Sequence, residues 1–280
     1  MSHQYRDQET GRERPCVRRS ISLSPLLLVS LSSMLGTIAH TAWATEPWVD
    51  TRQVGPFVCQ ATFSLDALEP FFAELETLDS DLIRTLGIEA ARQPIYIYLF
   101  SNAQSHRAYL AKHYPNVPYR RALFVEQGGQ QGVYVYRHDE LEIDVRHECT
   151  HALLHASLPV VPLWLDEGLA EYFEVPPDKR AFDHPHFRSL RWNMRLGMVR
   201  DVESLELPKD LSEMGAFEYR FAWAWVHFML HGPEAAHATL VNYLADVRRG
   251  APTEPFSARV ARSMPDAPDR MAQHFKHWRR

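Results

Sequence analysis

The chain has 280 residues, of which 45% are hydrophobic, 11% aromatic and 23% charged. Those proportions exclude a disordered chain, a collagen-like repeat and a many-span membrane protein. The formal charge is -5, and the basic residues are 26 scattered Arg and four Lys. That excludes the clustered basic footprint of a nucleic-acid-binding protein.

The chain starts with a basic leader containing Arg6, Arg12, Arg14, Arg18 and Arg19. An uncharged apolar run follows from Ile21 to Ala39 and closes on Ala42-Trp43-Ala44. A charged front, an apolar middle and a small-x-small end predict a secretory signal peptide over 1–44, cut before Thr45. The expected protein is therefore exported, periplasmic or secreted. Ser22, Ser24, Pro25, Ser30, Ser32 and Ser33 lower the run's hydrophobicity, against the alternative of an uncleaved membrane anchor. Arg18-Arg19 is followed by Ser20-Ile21-Ser22-Leu23, a poor match to a twin-arginine signal. Cleavage takes away five Arg and three acids and moves the formal charge from -5 to -7. Of the cysteines, Cys59 and Cys149 remain. They could pair in an oxidising compartment, but both sit in apolar stretches and read as buried free thiols.

Residues 45–139 read as an α/β subdomain. Phe57–Phe63 and Pro94–Phe100 are β-rich, and Leu65–Leu86 between them has apolar residues at helical spacing. Ala103–His113 is a second helical stretch. Ala122–Glu126 and Val133–Tyr136 flank the loop Gln127 to Gly132 and read as a hairpin or as two edge strands. Residues 140–280 read as helical, with stretches at Leu141–Leu158, Leu163–Glu174, Phe187–Leu196, Ala216–His231, Glu234–Arg248, Phe256–Ser263 and Pro268–Trp278, punctuated by Pro176-Pro177, Pro208, Pro252 and Pro265. The expected fold class is α+β, a small mixed half with a short sheet followed by an all-helical half.

The chemistry sits at the junction. His147-Glu148-Cys149-Thr150-His151 reads H-E-x-x-H. Residues four apart on a helix leave the same face, so both imidazoles can grip one ion. Zn²⁺ accepts such nitrogens, and Glu148 is placed to take a proton from bound water. A third ligand is offered by Trp164-Leu165-Asp166-Glu167-Gly168-Leu169-Ala170-Glu171-Tyr172-Phe173. Two His and one Glu leave a position for water, which is the composition of a catalytic site. Glu167 lies in an apolar stretch, and a buried carboxylate needs a partner. Glu171, one turn on, can accept the remaining N–H of a ligating His.

These two segments resemble the gluzincin zinc peptidases, the clan of thermolysin and the membrane-alanyl-type aminopeptidases. The fuller phrasing, His-Glu-Cys-Thr-His-Ala-Leu-Leu-His and then Pro-Leu-Trp-Leu-Asp-Glu-Gly-Leu-Ala-Glu-Tyr-Phe, is most similar to the bacterial peptidase MA-like family of unknown function. The resemblance covers about residues 140–230. It implies zinc on His147, His151 and Glu167, with Glu148 as general base and Glu171 behind the ligands. Tyr219-Arg220-Phe221-Ala222-Trp223-Ala224 is similar to the stretch whose Tyr supports the transition state in the aminopeptidase branch, although Phe221 and Ala222 replace its usual Lys-Gly. The resemblance also implies that the 122–136 strands align an extended peptide or protein substrate. Leu154 and Ser157 stand where the metzincin pattern needs Gly and His.

No Gly-x-Met-Glu-Asn-type segment for holding a free amine is found, so an endopeptidase is favoured. His155 continues the i, i+4, i+8 row and reads as structural or solvent-facing. His184 and His186 flank Pro185 and read as surface residues. Trp223, Trp225, Phe228 and Met229 read as core. The expected function is an exported zinc metallopeptidase acting on peptides or proteins, with no nucleic acid and no membrane contact beyond an uncleaved signal segment. The alternative is a non-catalytic cell-envelope binding protein that retains the zinc-site scaffold.

Overall fold

A computed structural model describes residues 48–251 and 254–279, so the signal-peptide reading of 1–44 lies outside the described residues. Five strands form one mixed sheet: β1 (Asp50–Val54), β2 (Phe57–Ala61), β3 (Ile95–Phe100), β4 (Ala122–Gln127) and β5 (Gln130–Tyr136), in the order β1-β2-β3-β5-β4. The helices are α1 (Glu69–Leu86), α2 (Ala103–His113), α3 (Leu141–Ser157), α4 (Leu163–Phe173), α5 (Pro177–Arg180), α6 (His186–Arg195), α7 (Val202–Leu205), α8 (Ala216–His231), α9 (Glu234–Arg248), α10 (Phe256–Ser263) and α11 (Ala267–His277). The chain is α+β, with the sheet in its first half and helices after Tyr136.

β2 and β3 run parallel, which requires a crossover, and α1 supplies it. Phe71, Phe72, Leu75, Leu78, Leu82 and Leu86 form its buried stripe. Gly87, at φ 67°, ends the helix in the left-handed conformation a side chain would resist. Along β3 the side chains alternate. Ile95, Ile97 and Leu99 enter the main core, while Tyr98 and Phe100 meet Tyr109 of α2 on the other face. The Asn102 side chain caps α2 by accepting from the N–H groups of Gln104 and Ser105.

The β4–β5 connection is tighter than the six-residue loop expected from its glycines. Both strands extend through the glutamines, leaving a turn at Gly128-Gly129 with φ of 61° and 79°. Two successive positive φ values suit a two-residue hairpin, whose twist then matches the strands. The pair also differs from two edge strands. β5 lies inside, parallel to β3, and of the pair β4 alone is at an edge of the sheet, with β1 at the other. β1 was not anticipated, because Val54 is its one buried side chain. Main-chain pairing with β2 holds it in the sheet.

α3 lies against β4 and β5 and is buried almost throughout. Arg121, just before β4, grips Asp144 in the first turn of α3 through Nε at 2.6 Å and Nη2 at 2.8 Å. This two-pronged ion pair fixes the free-edged strand to the helix. Every residue of α4 from Trp164 to Phe173 is buried. Against it packs α8, so closely that a Cβ on Gly168 would stand 2.7 Å from the Ala222 carbonyl oxygen. Trp223, Trp225, Phe228 and Met229 of α8 are core residues. Cys59 and Cys149 are buried free thiols, and burial pushes both upward, Cys59 to about 12. Among the described residues, no helix is long and apolar enough to cross a membrane.

Candidate metal centre

α3 and α4 bring His147, His151 and Glu167 together. One ligand-type atom from each lies within 4.8 Å of the others, and all three residues are buried. His147 Nε2 stands 3.6 Å from Glu167 Oε2, and His151 Nε2 stands 3.8 Å from Glu167 Oε1. The two imidazoles meet edge to face, with centroids 4.9 Å apart. One turn of helix separates them, as the four-residue spacing requires.

The opposite ring nitrogens face carboxylates. His147 Nδ1 donates to Glu174 Oε2 at 3.0 Å. His151 Nδ1 lies 3.0 Å from Asp166 Oδ1. A proton on each Nδ1, facing these carboxylates, would leave each Nε2 lone pair directed at Glu167, the tautomer a ligating imidazole needs. Asp166 has a second imidazole as well, since His155 Nε2 donates to its Oδ2 at 2.9 Å. Burial alone would raise the Asp166 carboxyl, but His151 and His155 outweigh it and hold the group well below the usual carboxylate range. Glu174 is positioned by Arg146, whose Nε donates to its carbonyl oxygen at 2.6 Å and so ties the end of α4 to α3.

Sequence reasoning assigned the carboxylate behind the ligands to Glu171. Nδ1 of His147 is bonded by Glu174, three residues further on. Glu171 remains close, within 4.8 Å of His147 and Glu174, but its carboxylate accepts from His186 Nε2 at 3.0 Å. Its carbonyl oxygen accepts from His184 Nε2 at 2.9 Å. The two histidines flanking Pro185 are thus interior contacts of α4, and His184 also stacks on Trp223 with centroids 4.5 Å apart. His155 is buried and stacked on Phe124. Asp166 and Glu174 carried a signal of their own: each is an acid within or ending an apolar helical run, where a charge must find a partner.

Glu167 is the decisive group. It is fully buried, and neither carboxylate oxygen has a hydrogen-bond partner among the described residues. Burial pushes it well above the ordinary range. His151 pulls it down, while Asp166, Glu148 and Glu171 raise it further. A carboxylate left so in an apolar interior is costly, and a cation is the partner this donor set lacks. Two imidazoles and one carboxylate suit Zn²⁺ and leave room for a further ligand. Glu148, one residue from His147, is buried and near enough for Glu167 to feel its charge.

Tyr219 is buried in the first turn of α8, one turn before the Ala222 contact with α4. Its neighbour Arg220 donates to Asn193 Oδ1 at 2.8 Å.

The sequence matches no protein-family profile and no curated protein. Among solved structures it is similar to the M1 zinc metallopeptidase of Deinococcus radiodurans, with 18% identity and a TM-score of 0.42, covering 81% of this chain and 50% of that one. A mutant of the same enzyme gives 16% identity, a TM-score of 0.44 and coverage of 81% and 51%. That mutant bound to a Tyr-Ser-Ala substrate gives 15%, 0.43, and 81% and 50%. The chain spans about half the length of these structures.

Proposed function

We propose that the protein is a zinc-dependent peptidase that hydrolyses peptide bonds with an activated water. The observation that carries this reading is the buried Glu167 carboxylate, without a hydrogen-bond partner, facing Nε2 of His147 and of His151. His147, His151 and Glu167 are the residues that would hold the ion. Zinc bound there supplies Lewis acidity toward a water and a carbonyl oxygen.

The remaining roles belong to the chain. Glu148 takes the water's proton on its carboxylate and delivers it to the leaving amine. Glu174 and Asp166 hold the ligating rings in one orientation and one tautomer. Tyr219, in the first turn of α8, is the proposed donor to the developing oxyanion. β4, an edge strand of the sheet, offers main-chain groups to an extended substrate. Export and a preference for internal peptide bonds belong to the same proposal. The first rests on the 1–44 pattern, the second on the missing amine-holding segment.

The test is Glu148→Gln measured beside His147→Ala. The first should keep about one zinc per chain and lose hydrolysis of a broad peptide library; the second should lose the zinc. A zinc-loaded wild type as inactive as Glu148→Gln, while still binding peptides, overturns the peptidase reading in favour of a non-catalytic binding scaffold.

A further inference from the structure

α6 is basic on its outer face and so is the turn that follows it. Arg188, Arg191, Trp192 and Arg195 recur at i, i+3, i+4 and i+7 and are all exposed, opposite the buried Phe187, Leu190 and Asn193. The chain continues through Leu196, Met198, Val199 and Arg200, all exposed. Among the described residues nine large apolar side chains are exposed, and four of them fall within 192–199: Trp192 at 60%, Leu196 at 57%, Met198 at 41% and Val199 at 38%. Such clustering on a protein surface marks an interaction site.

The charge of this segment is as unusual as its apolarity. From His184 to Arg200 there are four Arg and no acid, in a chain whose formal charge is -5. Arg200 lies 3.6 Å from Glu218, and Arg191 donates to the Trp278 carbonyl oxygen. Arg188 and Arg195 have no ion-pair or hydrogen-bond partner among the described residues. The Arg191 contact brings the chain's basic end, with Lys276 and Arg279, to the same side. Asp183 and Asp201 bracket the segment.

We infer that the outward face of α6 and the following turn to Arg200 dock on an anionic lipid surface. A helix lying in the headgroup region needs cations to meet lipid phosphates, with Trp and aliphatic side chains between them to enter the acyl boundary. This face has both. A nucleic acid would use the arginines but give Leu196, Met198 and Val199 no base-like partner, and only one aromatic ring is present for stacking. An acidic protein segment would need a groove, whereas these side chains protrude. The docking would also bear on the metal centre, because His186 in the first turn of α6 holds Glu171 of α4. Attachment itself does not depend on the proposed hydrolysis.

The experiment is sedimentation of the full chain with vesicles of phosphatidylcholine alone and with roughly one-third phosphatidylglycerol. Neutral vesicles measure what the apolar run Ile21 to Ala39 contributes. Wild type should partition at least about tenfold better onto the anionic vesicles, and less so in high salt. Arg188→Glu/Arg195→Glu should lower anionic partitioning about tenfold or more at unchanged circular dichroism. Leu196→Ser, which alters no charge, should lower it severalfold. If both variants partition as wild type does, or if single-stranded RNA retains the protein while vesicles do not, the lipid-docking inference is overturned.

Discussion

Asp166 Oδ1 lies 3.0 Å from Nδ1 of His151, while the next residue, Glu167, faces the same imidazole's Nε2 at 3.8 Å. Two neighbouring acids on α4 thus address the two nitrogens of one ring on α3. One is placed to set the tautomer and the other to share a bound ion, were one held there.

Asp166→Asn should therefore weaken zinc binding without emptying the ligand set. The amide keeps the shape but loses the charge that holds His151 and His155. We expect a loss of about 10–100-fold in zinc affinity, read by competition with a chromophoric chelator. Glu174→Gln should act in the same direction through His147. An unchanged affinity in both variants would remove these carboxylates from the metal centre.

Gly168→Ala tests the contact behind the site. The added Cβ would meet the Ala222 carbonyl at 2.7 Å and Val226 at 2.9 Å, so α4 and α8 must separate. Overpacking of this kind costs about 1–3 kcal/mol. Urea unfolding of the chelator-treated protein should show a lowered midpoint, and zinc affinity should fall with it.

The Gly128-Gly129 turn sets the position of β4. A Val at 128 would be forced to a left-handed φ, at a cost of roughly 1–2 kcal/mol. If β4 aligns the substrate, KM should rise several-fold in Gly128→Val while kcat changes little. Gly128→Asn, which tolerates that φ, should restore it. A change confined to kcat would argue against substrate alignment by this edge.

A cluster of neutral histidines predicts acid sensitivity. Burial depresses His227 and His274, the latter to about 4, and lowers His231; neighbouring imidazoles add to the effect on the first two. His227 Nδ1 and His274 Nε2 are 3.1 Å apart, and His231 Nε2 meets the Tyr172 hydroxyl at 2.8 Å. The folded state disfavours the protonated rings, whereas an unfolded imidazole titrates near 6.5. The unfolded chain therefore binds more protons as pH falls below 6.5, and stability should decline from there toward the folded values. His274→Gln should make that decline shallower between pH 6.5 and 4, as measured by thermal midpoints across that range.

Much of the helical half was legible because its punctuation is local. α8 begins after Gly215 and ends before Gly232-Pro233, and α10 begins after Pro255. Its boundaries can be read from the residues that cannot continue a helix. The pair His147 and His151 was legible for a similar reason, since four residues of helix place both on one face. β1 was not, because a strand held by main-chain pairing leaves no apolar alternation. Nor could spacing alone show that Glu171 turns toward His186, fifteen residues on, while Glu174 reaches His147. That exchange depends on how α6 and the end of α4 pack, and Arg146 settles it from a third direction.

Asp166, Glu167 and Gly168 each answer to a different neighbour: the imidazoles of His151 and His155, the Nε2 atoms of His147 and His151, and the backbone of α8. Lengthening or shortening the connector between Leu158 and Pro162 would leave that tripeptide's register intact. A single residue inserted or deleted inside the tripeptide would turn the residues on one side of it by about 100° relative to those on the other, so the three could no longer meet their neighbours together. Variation among natural versions of this protein should therefore collect in the connector and stop where α4 begins.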